Sequence, residues 1–390
     1  MVPAELSRSA LRIEILCEVI DNFGDAGISW RLATQLCAQW GAQVTLIIDQ
    51  PKLLARWREA ARLAGRATPQ VVDLRTAIES AGTDASSDAS APDLFIAMLG
   101  SRVPEPMRAR LSAHRTPWIR YEYLSAEPWI DGCHGLPSPK PDGLATEWFY
   151  YPGYSSASGG LLREALLDEE LRHWIESERS DWLAARGLDT PPGVMRFCLF
   201  GYAEPRTAEL AQALAALTDR CVIFINRGLA DQLADASLLS DAVLPAQCEL
   251  RIHDWLDQGE FDRLLCSCDL SLVRGEDSWV RAQWTGQPFL WQAYRQDEQF
   301  HLTKLNAWLN RLLTDRHDPA ARAIRRLMDA INQGTGHGEP ESLRPALTDY
   351  LANLTSIRAI HRQWCKDLLT QAPLVDRLAR FARDQLQLPV

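Results

Sequence analysis

Short apolar runs alternate along the chain with longer stretches in which apolar residues recur every three or four positions. The first pattern is typical of buried strands and the second of amphipathic helices. In the first half, strands are predicted over Arg12–Ile20, Gln43–Asp49, Leu94–Leu99, Trp118–Tyr123 and Trp148–Tyr150, and helices over Ile28–Trp40, Pro51–Leu63 and Pro106–Ser112. In the second half, strands are predicted over Met195–Tyr202, Cys221–Asn226, Glu249–His253, Leu270–Arg274 and Pro288–Trp291. Strands that alternate with helices predict parallel sheets with right-handed crossovers.

The pattern restarts in the middle of the chain, and this predicts two domains. A length of 390 residues is also too great for one ordinary core. We expect an α/β protein with two Rossmann-like domains that face a central cleft, over residues 1–158 and 191–390. A charged helical stretch, Leu161–Gly187, dominates the linker 159–190. The segment Ala81–Pro92 is rich in Ser, Asp and Ala, which predicts a mobile surface loop.

Composition excludes several classes of protein. A hydrophobic content of 46% and a charged content of 24% are typical of soluble globular proteins. The net charge of −10 argues against binding to a nucleic-acid backbone and suits a basic protein partner. Met1–Ala10 lacks the apolar core of a signal peptide, and no run has the roughly 18 apolar residues of a membrane-spanning helix. We therefore expect no nucleic-acid or membrane partner.

Cysteine and histidine usage points to a reducing compartment and to no metal site. The nine cysteines form no C-x-x-C pair, which indicates reduced thiols and a cytoplasmic protein. The eight histidines show no metal-ligand spacing with Cys or carboxylates, and no Asp-x-Asp pair occurs. A redox role for Cys266 and Cys268 is possible, but burial as small apolar residues is the commoner role of such cysteines.

The segment Val273–Trp279 joins a predicted buried strand to a predicted helix. It carries Arg274, Gly275, Glu276, Asp277 and Ser278 on one turn. A helix N-terminus offers unpaired N–H groups and partial positive charge, which suit a phosphate. Arg274 suits an anion, and the two carboxylates suit hydroxyls or a cation. The turn therefore indicates a sugar-phosphate or nucleotide site, although Asp277 or Ser278 could simply cap the helix.

The segment Asp21–Gly27 is a second turn between a strand and a helix. Only Gly24 and Gly27 are present, so the G-x-G-x-x-G spacing of a dinucleotide site is missing, and this disfavours a nicotinamide enzyme. The turn carries two acids, Asp21 and Asp25. They could serve an acceptor, or Asp25 could be an N-cap and Asp21 a turn former.

Together these segments resemble the protein-arginine rhamnosyltransferases that modify bacterial elongation factor P. The resemblance extends from about Leu11 to the C-terminal helices. It rests on the following segments: Asp21–Asp25 with Gly27 and Trp30–Leu32, Gly159–Glu164, Leu199–Tyr202, Phe261–Asp262, Arg274–Ser278 with Arg281–Ala282, and Trp291 with Tyr294 and Gln296. Gln292 and Arg295 stand where His and Pro are usual in the family, and Tyr154 and Ser158 where Phe and Thr are usual.

The resemblance implies a GT-B glycosyltransferase that binds dTDP-β-L-rhamnose. Because the chain has no Asp-x-Asp pair, we expect backbone N–H groups and cationic side chains to bind the diphosphate without a metal or other cofactor. The donor would contact Phe200, Tyr202, Gln258, Phe261, Arg274, Glu276, Asp277 and Ser278. In this assignment the aromatic residues take the thymine base and Gln258 reads a base edge. Arg274 neutralises charge on the leaving group, and Glu276 takes a ribose hydroxyl or positions the sugar. At least one of the last helices, within Ser342–Leu388, would cross back and brace the first domain.

The acceptor implied is an arginine side chain of elongation factor P, contacted by Asp21, Asn22, Phe23, Gly24 and Asp25. Asp25 would be the primary catalytic carboxylate, Asp21 would help to orient the guanidinium, and Glu276 would complete the catalytic set. A carboxylate can grip the planar guanidinium at two points. Direct displacement would invert the anomeric carbon and give an α-linked product. The alternatives are a GT-B enzyme with another nucleotide sugar or acceptor, and a non-catalytic protein-binding module on the same scaffold.

Overall fold

The computed structural model describes residues 10–20, 23–83, 91–139, 146–164, 167–239, 244–295, 299–333 and 342–390. The chain divides into two compact units, Met1–Ala165 with Ala372–Val390, and Leu166–Gln371. Each unit is an α/β domain built around a parallel sheet. The predicted α/β class with two Rossmann-like domains is confirmed.

The first unit contains β1 to β7, α1 to α5 and the last helix, α16. Its strands are β1 Arg12–Cys17, β2 Gln43–Ile48, β3 Gln70–Asp73, β4 Leu94–Met98, β5 Trp118–Tyr121, β6 Pro137–Pro139 and β7 Thr146–Tyr150. Its helices are α1 Phe23–Trp40, a short 3-10 helix Pro51–Leu54, α2 Ala55–Leu63, α3 Leu74–Thr83, α4 Glu105–Ala113, α5 Ile130–Cys133 and α16 Leu374–Leu386.

The strand order of the first sheet, over the described residues, is β3-β2-β1-β4-β5-β7-β6, and only the β6–β7 pair is antiparallel. All five residues of β4 are buried, as expected for a central parallel strand covered on both faces. Part of the core lies where Leu16, Phe95 and Trp118 pack against Met107 and Leu111 of α4. The chain reverses direction across the sheet between β1 and β4, and this switch point is where open α/β sheets bind ligands.

Helix α16 belongs to the first unit because it packs on the strand β7 and the segment after it. The Tyr150 hydroxyl lies 3.1 Å from the Gly159 carbonyl oxygen and 3.3 Å from that of Leu374. Arg377 donates to the Ser158 carbonyl oxygen at 2.8 Å, and Phe381 packs edge-on against Tyr150. These contacts tie the C-terminal helix to the chain segment that follows the first sheet.

The second unit contains β8 to β12 and α6 to α15. Its strands are β8 Met195–Leu199, β9 Cys221–Asn226, β10 Cys248–His253, β11 Leu270–Arg274 and β12 Phe289–Gln292. Its helices are α6 Leu167–Ser177, α7 Arg179–Ala185, α8 Pro205–Leu217, α9 Arg227–Asp235, α10 Gln258–Ser267, α11 Glu276–Trp284, α12 Phe300–Leu312, α13 Pro319–Asn332, α14 Leu343–Ala352 and α15 Leu354–Leu369. In the described part of this unit the sheet order is β10-β9-β8-β11-β12, with the switch point between β8 and β11.

Several predicted boundaries differ from the structure. The predicted strand Arg12–Ile20 ends at Cys17, because the N–H groups of Glu18 and Val19 bond to the side chains of Ser101 and Asp49 instead of a neighbouring strand. The helix predicted from Ile28 begins at Phe23, so both glycines of that turn are helical. Burial of the helix against the sheet outweighs the low helix propensity of glycine.

Other boundaries depend on contacts that sequence patterns do not show. Helix α3 extends to Thr83, into the predicted loop Ala81–Pro92, whose residues 84–90 lie outside the described ranges. The strands β3 and β6 had no predicted counterpart, because they are only 4 and 3 residues long. The structure divides the chain after Ala165 and after Gln371, whereas the predicted divisions lie after residues 158 and 190.

Candidate active site

In the first unit, Asp25 lies at the switch point of the sheet. It belongs to the first turn of α1, which directly follows the carboxyl end of β1. Its side chain is 4% exposed, and its Oδ2 accepts a hydrogen bond of 2.8 Å from the Ile20 N–H. A buried carboxylate held by the backbone has a restricted orientation. Asp21 and Asn22, predicted to act beside it, lie outside the described residues.

Three further polar groups gather at the same edge of the sheet, and sequence reasoning gave them no role. Asp49, after β2, accepts from the Val19 N–H at 3.0 Å. Ser101, after β4, accepts from the Glu18 N–H at 2.8 Å, and the Glu18 carboxylate accepts from the Arg102 N–H. Only the position of Asp49 in the sequence could have indicated this role, since Asp49 ends a predicted strand whose carboxyl end lies beside that of β1. These bonds hold the segment that leads into α1.

Apolar side chains flank this turn on the outside. Ile20 is 66% exposed and Phe23 is 42% exposed, and the Phe23 ring packs edge-on against Trp57 at 6.0 Å. Below the turn, burial raises the pKa of the Cys17 thiol to about 12. The Asp25 charge raises this pKa further, whereas a hydrogen bond with Ser29 lowers it. Cys17 is therefore a protonated core thiol at neutral pH and does not serve as a nucleophile.

In the second unit, the segment Arg274–Ser278 occupies the switch point between β8 and β11. Helix α11 begins at Glu276, and Gly275 is its N-cap, with a φ of 65° and no side-chain cap. Asp277 and Ser278 thus lie within the first turn, and the alternative in which one of them caps the helix is wrong. The Ser278 hydroxyl donates back to the Arg274 carbonyl oxygen. This geometry leaves the first N–H groups of α11 without acceptors inside the helix.

Aromatic rings and a guanidinium lie together beside this helix start. Arg274 lies 4.7 Å from the ring centre of Tyr202 and 5.5 Å from that of Phe200, at cation–π distance. Phe200 in turn contacts Phe261 of α10, with ring centres 4.8 Å apart. Phe200, Tyr202 and Phe261 are each partly exposed, so their faces are not fully used by the core.

Gln258 of α10, the remaining residue predicted to contact the nucleotide-sugar donor, joins the same cluster. Gln258 Nε2 donates to the Asp277 carboxylate at 3.3 Å. Helix α10 is itself fixed by a capping box in which Asp257 and Glu260 satisfy each other's backbone N–H groups. The structure therefore brings all eight predicted donor residues to one edge of one sheet, although the residues come from three separate segments.

A buried frame supports the turn, and sequence reasoning did not identify it. Arg281 of α11 donates from Nε and Nη2 to the Asp262 carboxylate of α10, with a shortest distance of 2.7 Å. Trp279 stacks on Trp291 at 3.8 Å with an interplanar angle of 3°, and Trp291 Nε1 donates to the Gly275 carbonyl oxygen at 3.1 Å. The frame fixes the left-handed residue Gly275 and hence the direction of α11.

Among the described residues, no three or more His, Cys, Asp and Glu side chains lie together in a group that could hold a metal ion. Of the helices in those residues, none has both the length and the apolar character needed to cross a membrane.

Two Rossmann-like domains in one chain are the fold of the GT-B class of glycosyltransferases. The same fold occurs in a solved structure described as the structural basis for EarP-mediated arginine glycosylation of translation elongation factor EF-P. That structure has a TM-score of 0.62 and 25% sequence identity, and the alignment covers 96% of this chain and 99% of that one.

The family model for elongation factor P (EF-P) rhamnosyltransferase EarP matches residues 13–383. Protein-arginine rhamnosyltransferase from Pseudomonas aeruginosa is 34% identical over 386 residues, which is 96% of this chain and 99% of the relative. Its counterpart from Pseudomonas putida is 35% identical over 385 residues, with the same coverage. The chain therefore belongs to the EarP family of rhamnosyltransferases, and the predicted family is confirmed.

Proposed function

We propose that the protein transfers L-rhamnose from dTDP-β-L-rhamnose to an arginine side chain of elongation factor P in the cytoplasm. The observation that carries this proposal is the grouping of Phe200, Tyr202, Phe261 and Arg274 at the N-terminus of α11, in a chain of this family. Aromatic faces suit a thymine base, and a guanidinium with backbone N–H groups suits a diphosphate.

In this proposal the donor diphosphate is held by the first N–H groups of α11 and by Arg274. N–H groups and a guanidinium that are already in position stabilise the charge that develops on the leaving nucleotide. Glu276 takes a ribose hydroxyl or positions the sugar, and Gln258 reads a base edge. The proposal assigns no metal or other cofactor, since the cationic side chain and the helix dipole supply the positive charge.

The acceptor arginine is bound by the β1–α1 turn, with Asp25 as the catalytic carboxylate and Asp21 as its helper. An arginine side chain is always protonated near neutral pH, and an aspartate is too weak a base to deprotonate it beforehand. Asp25 localises the guanidinium charge on one side and receives the proton as the new bond forms. The nitrogen–carbon bond forms, the bond from the anomeric carbon to phosphate breaks, and dTDP leaves.

The test is to incubate the pure protein with dTDP-rhamnose and elongation factor P and to weigh the factor by intact-protein mass spectrometry. One deoxyhexose on one arginine supports the proposal. Parallel reactions with other nucleotide sugars test the alternative donors. A factor left unmodified by every donor, with dTDP bound normally, would instead favour a non-catalytic binding module.

A further inference from the structure

Gln292 ends β12 and lies at the carboxyl edge of the second sheet. Its Cα pairs in register with that of Arg274, the last residue of the neighbouring strand β11. Although the residue is polar, it is 3% exposed. A buried polar side chain is costly unless its hydrogen bonds are made, so its contacts indicate what it does.

The Gln292 side chain reaches the turn that follows β8. Its Oε1 accepts from the Tyr202 N–H at 2.8 Å and lies 3.2 Å from the Thr207 hydroxyl. That hydroxyl donates to the Tyr202 carbonyl oxygen at 2.6 Å. Because a backbone N–H can only donate, the Tyr202 bond also fixes which amide atom is the oxygen. Tyr202 is thus held from both sides of its peptide backbone.

The residue before Tyr202 shows how closely the amide approaches the turn. A Cβ added at Gly201 would lie 2.6 Å from Gln292 Oε1 and 2.8 Å from Leu272 Cδ2. Real Cβ atoms essentially never approach other atoms so closely, so a side chain at this position would displace Gln292 or the turn. Gly201 therefore permits the contact between Gln292 and the Tyr202 backbone.

We infer that Gln292 is a positioning residue for the nucleotide-sugar donor: it fixes the segment Phe200–Tyr202 so that the Tyr202 ring and the Arg274 guanidinium are in place before the donor binds. The ring centre of Tyr202 lies 4.7 Å from that guanidinium. A ligand that meets a preorganised pair does not lose binding free energy to ordering it. The inference rests on the proposed function, since it concerns the donor of that same site.

The variant Gln292→Met isolates this role. Methionine has a similar volume but offers no amide oxygen to Tyr202. The Nε2 of Gln292 has no hydrogen-bond partner among the described residues, so the change removes only the bonds made by Oε1. The matched control is Gln283→Met, which removes another buried amide of the same unit. Gln283 Oε1 accepts from the indoles of Trp308 and Trp364, and its Nε2 donates to the Trp279 carbonyl oxygen at 3.3 Å, so none of these bonds is made to Tyr202.

We expect Gln292→Met to raise the donor KM and the Kd for dTDP about tenfold, which is equivalent to about 1.4 kcal/mol. The kcat should fall as well, because Arg274 also stabilises the charge that develops on the leaving nucleotide in the transition state. Gln283→Met should lower the melting temperature but leave the donor KM unchanged. Gly201→Ala should raise the donor KM as Gln292→Met does, and the double variant should be no worse than either single variant.

The inference would be overturned if Gln292→Met had the donor KM of the wild-type protein, or if Gln283→Met raised the donor KM equally. It would also be overturned if the effects of Gln292→Met and Gly201→Ala on the donor KM were additive in the double variant. Failure of the proposed function gives a different result, because the wild-type protein would then transfer no rhamnose, whether or not it binds dTDP. If the wild-type protein binds and transfers while the variants behave like it, only the positioning role of Gln292 is refuted. Melting temperatures of all variants show that the comparison is between folded proteins.

Discussion

The Asp25 carboxylate combines burial with a fixed orientation. It is 4% exposed, and the Ile20 N–H holds one of its oxygens. A group fixed in this way can meet a guanidinium without first losing side-chain freedom, and orientation of this kind is a large part of catalysis. Its position at the switch point of the first sheet agrees with the place where α/β domains bind ligands.

The variant Asp25→Asn tests the proposed role of this carboxylate directly. The amide has nearly the same shape as the carboxylate but can neither localise the guanidinium charge nor take the proton. We expect the rate of transfer to fall by a factor on the order of 10²–10⁴, with the Kd for dTDP unchanged. Steady-state kinetics and calorimetry measure the two quantities.

The matched control for this variant is Asp73→Asn, at the carboxyl end of β3 in the same sheet. Its carboxylate accepts from the Arg75 N–H at 2.9 Å and has no proposed catalytic role. We expect wild-type transfer from it. Equal losses in both variants, or loss of dTDP binding with transfer preserved in Asp25→Asn, would contradict the assignment.

The donor residues can be tested in the same way. We expect Phe261→Ala and Asp277→Ala each to weaken dTDP binding about tenfold. The first loses an aromatic face, worth about 1 kcal/mol, and the second loses the bond from Gln258 at the helix start. Isothermal titration calorimetry with dTDP gives the values. A chelator should leave the transfer rate unchanged, and rescue of a chelated enzyme by magnesium would refute the metal-free donor site.

At the scale of elements, the direction of α11 depends on one left-handed residue. Gly275 has a φ of 65° and is the N-cap of the helix that carries Glu276, Asp277 and Ser278. Its carbonyl oxygen accepts from the Trp291 indole at 3.1 Å, so the turn is fixed from the next strand. Phosphate binding by a helix start requires this alignment of the first N–H groups.

The variant Gly275→Ala should strain this turn. With φ 65° and ψ −172°, Gly275 has a backbone conformation that is almost restricted to glycine, so a Cβ there costs roughly 1–3 kcal/mol, and relaxation would shift the first turn of α11. We expect a lower melting temperature and dTDP binding weakened about tenfold. The control is Gly286→Ala in the same unit, where φ is 63° but the nearest atom to an added Cβ is 3.6 Å away. It should lose stability without losing dTDP affinity, and an equal loss of affinity would show that strain alone explains the effect.

Elements with strong local signals could be predicted from the sequence, and elements that depend on distant contacts could not. The apolar run before Arg274 predicted β11, and the stretch Val280–Thr285 predicted the helix that follows it, although this helix begins earlier, at Glu276. The N-cap could not be predicted in the same way, because Asp277 and Ser278 are better capping residues than Gly275, and the Trp291 contact to the Gly275 carbonyl oxygen cannot be inferred from the local sequence. Gln292 had no local signal either, since its partner Tyr202 lies 90 positions away.

At the scale of the whole molecule, two histidines, the buried His361 and the half-buried His134, connect pH to stability. Burial lowers the pKa of His361 to about 3, and both of its ring nitrogens lack hydrogen-bond partners in the described part of the chain. Burial, with a smaller effect from Arg377, lowers the pKa of His134 to about 4. Both rings are therefore neutral in the folded protein at neutral pH.

The pKa of a histidine in the unfolded chain is near 6.5, so the unfolded state binds more protons below that pH. The contribution of the neutral histidines to the free energy of unfolding is therefore complete above about pH 6.5 and is lost as the pH falls towards 3. For His361 the loss amounts to about 2 kcal/mol at pH 5. We expect His361→Phe to reduce the drop in melting temperature between pH 8 and pH 5.

The control for this pH effect is His173→Phe, whose side chain is 74% exposed. It should leave the drop between pH 8 and pH 5 as in the wild-type protein. An unchanged drop in His361→Phe would show that the buried ring is not the source of acid sensitivity. Differential scanning calorimetry of all three proteins at both pH values provides the comparison.

The proposed acceptor also belongs to this scale, because the protein has a net charge of −10 and its proposed partner is a folded protein. A loop held by its own domain is already ordered, so its binding does not lose free energy to ordering. Lysine cannot replace the acceptor arginine, because its ammonium is a point charge without the planar fork. Salt should slow the reaction if charge steers the encounter, since the screening length is roughly 8 Å at physiological ionic strength.

The most direct test measures rhamnose incorporation by intact-protein mass spectrometry, with dTDP-rhamnose as the donor and three acceptors. The acceptors are folded elongation factor P, its Arg→Lys variant, and a short linear peptide with the same arginine. We predict one rhamnose on the folded factor, faster at low salt than at high salt, none on the lysine variant, and little or none on the peptide. Modification of the lysine variant, or equal rates on the peptide and the folded factor, would contradict the account.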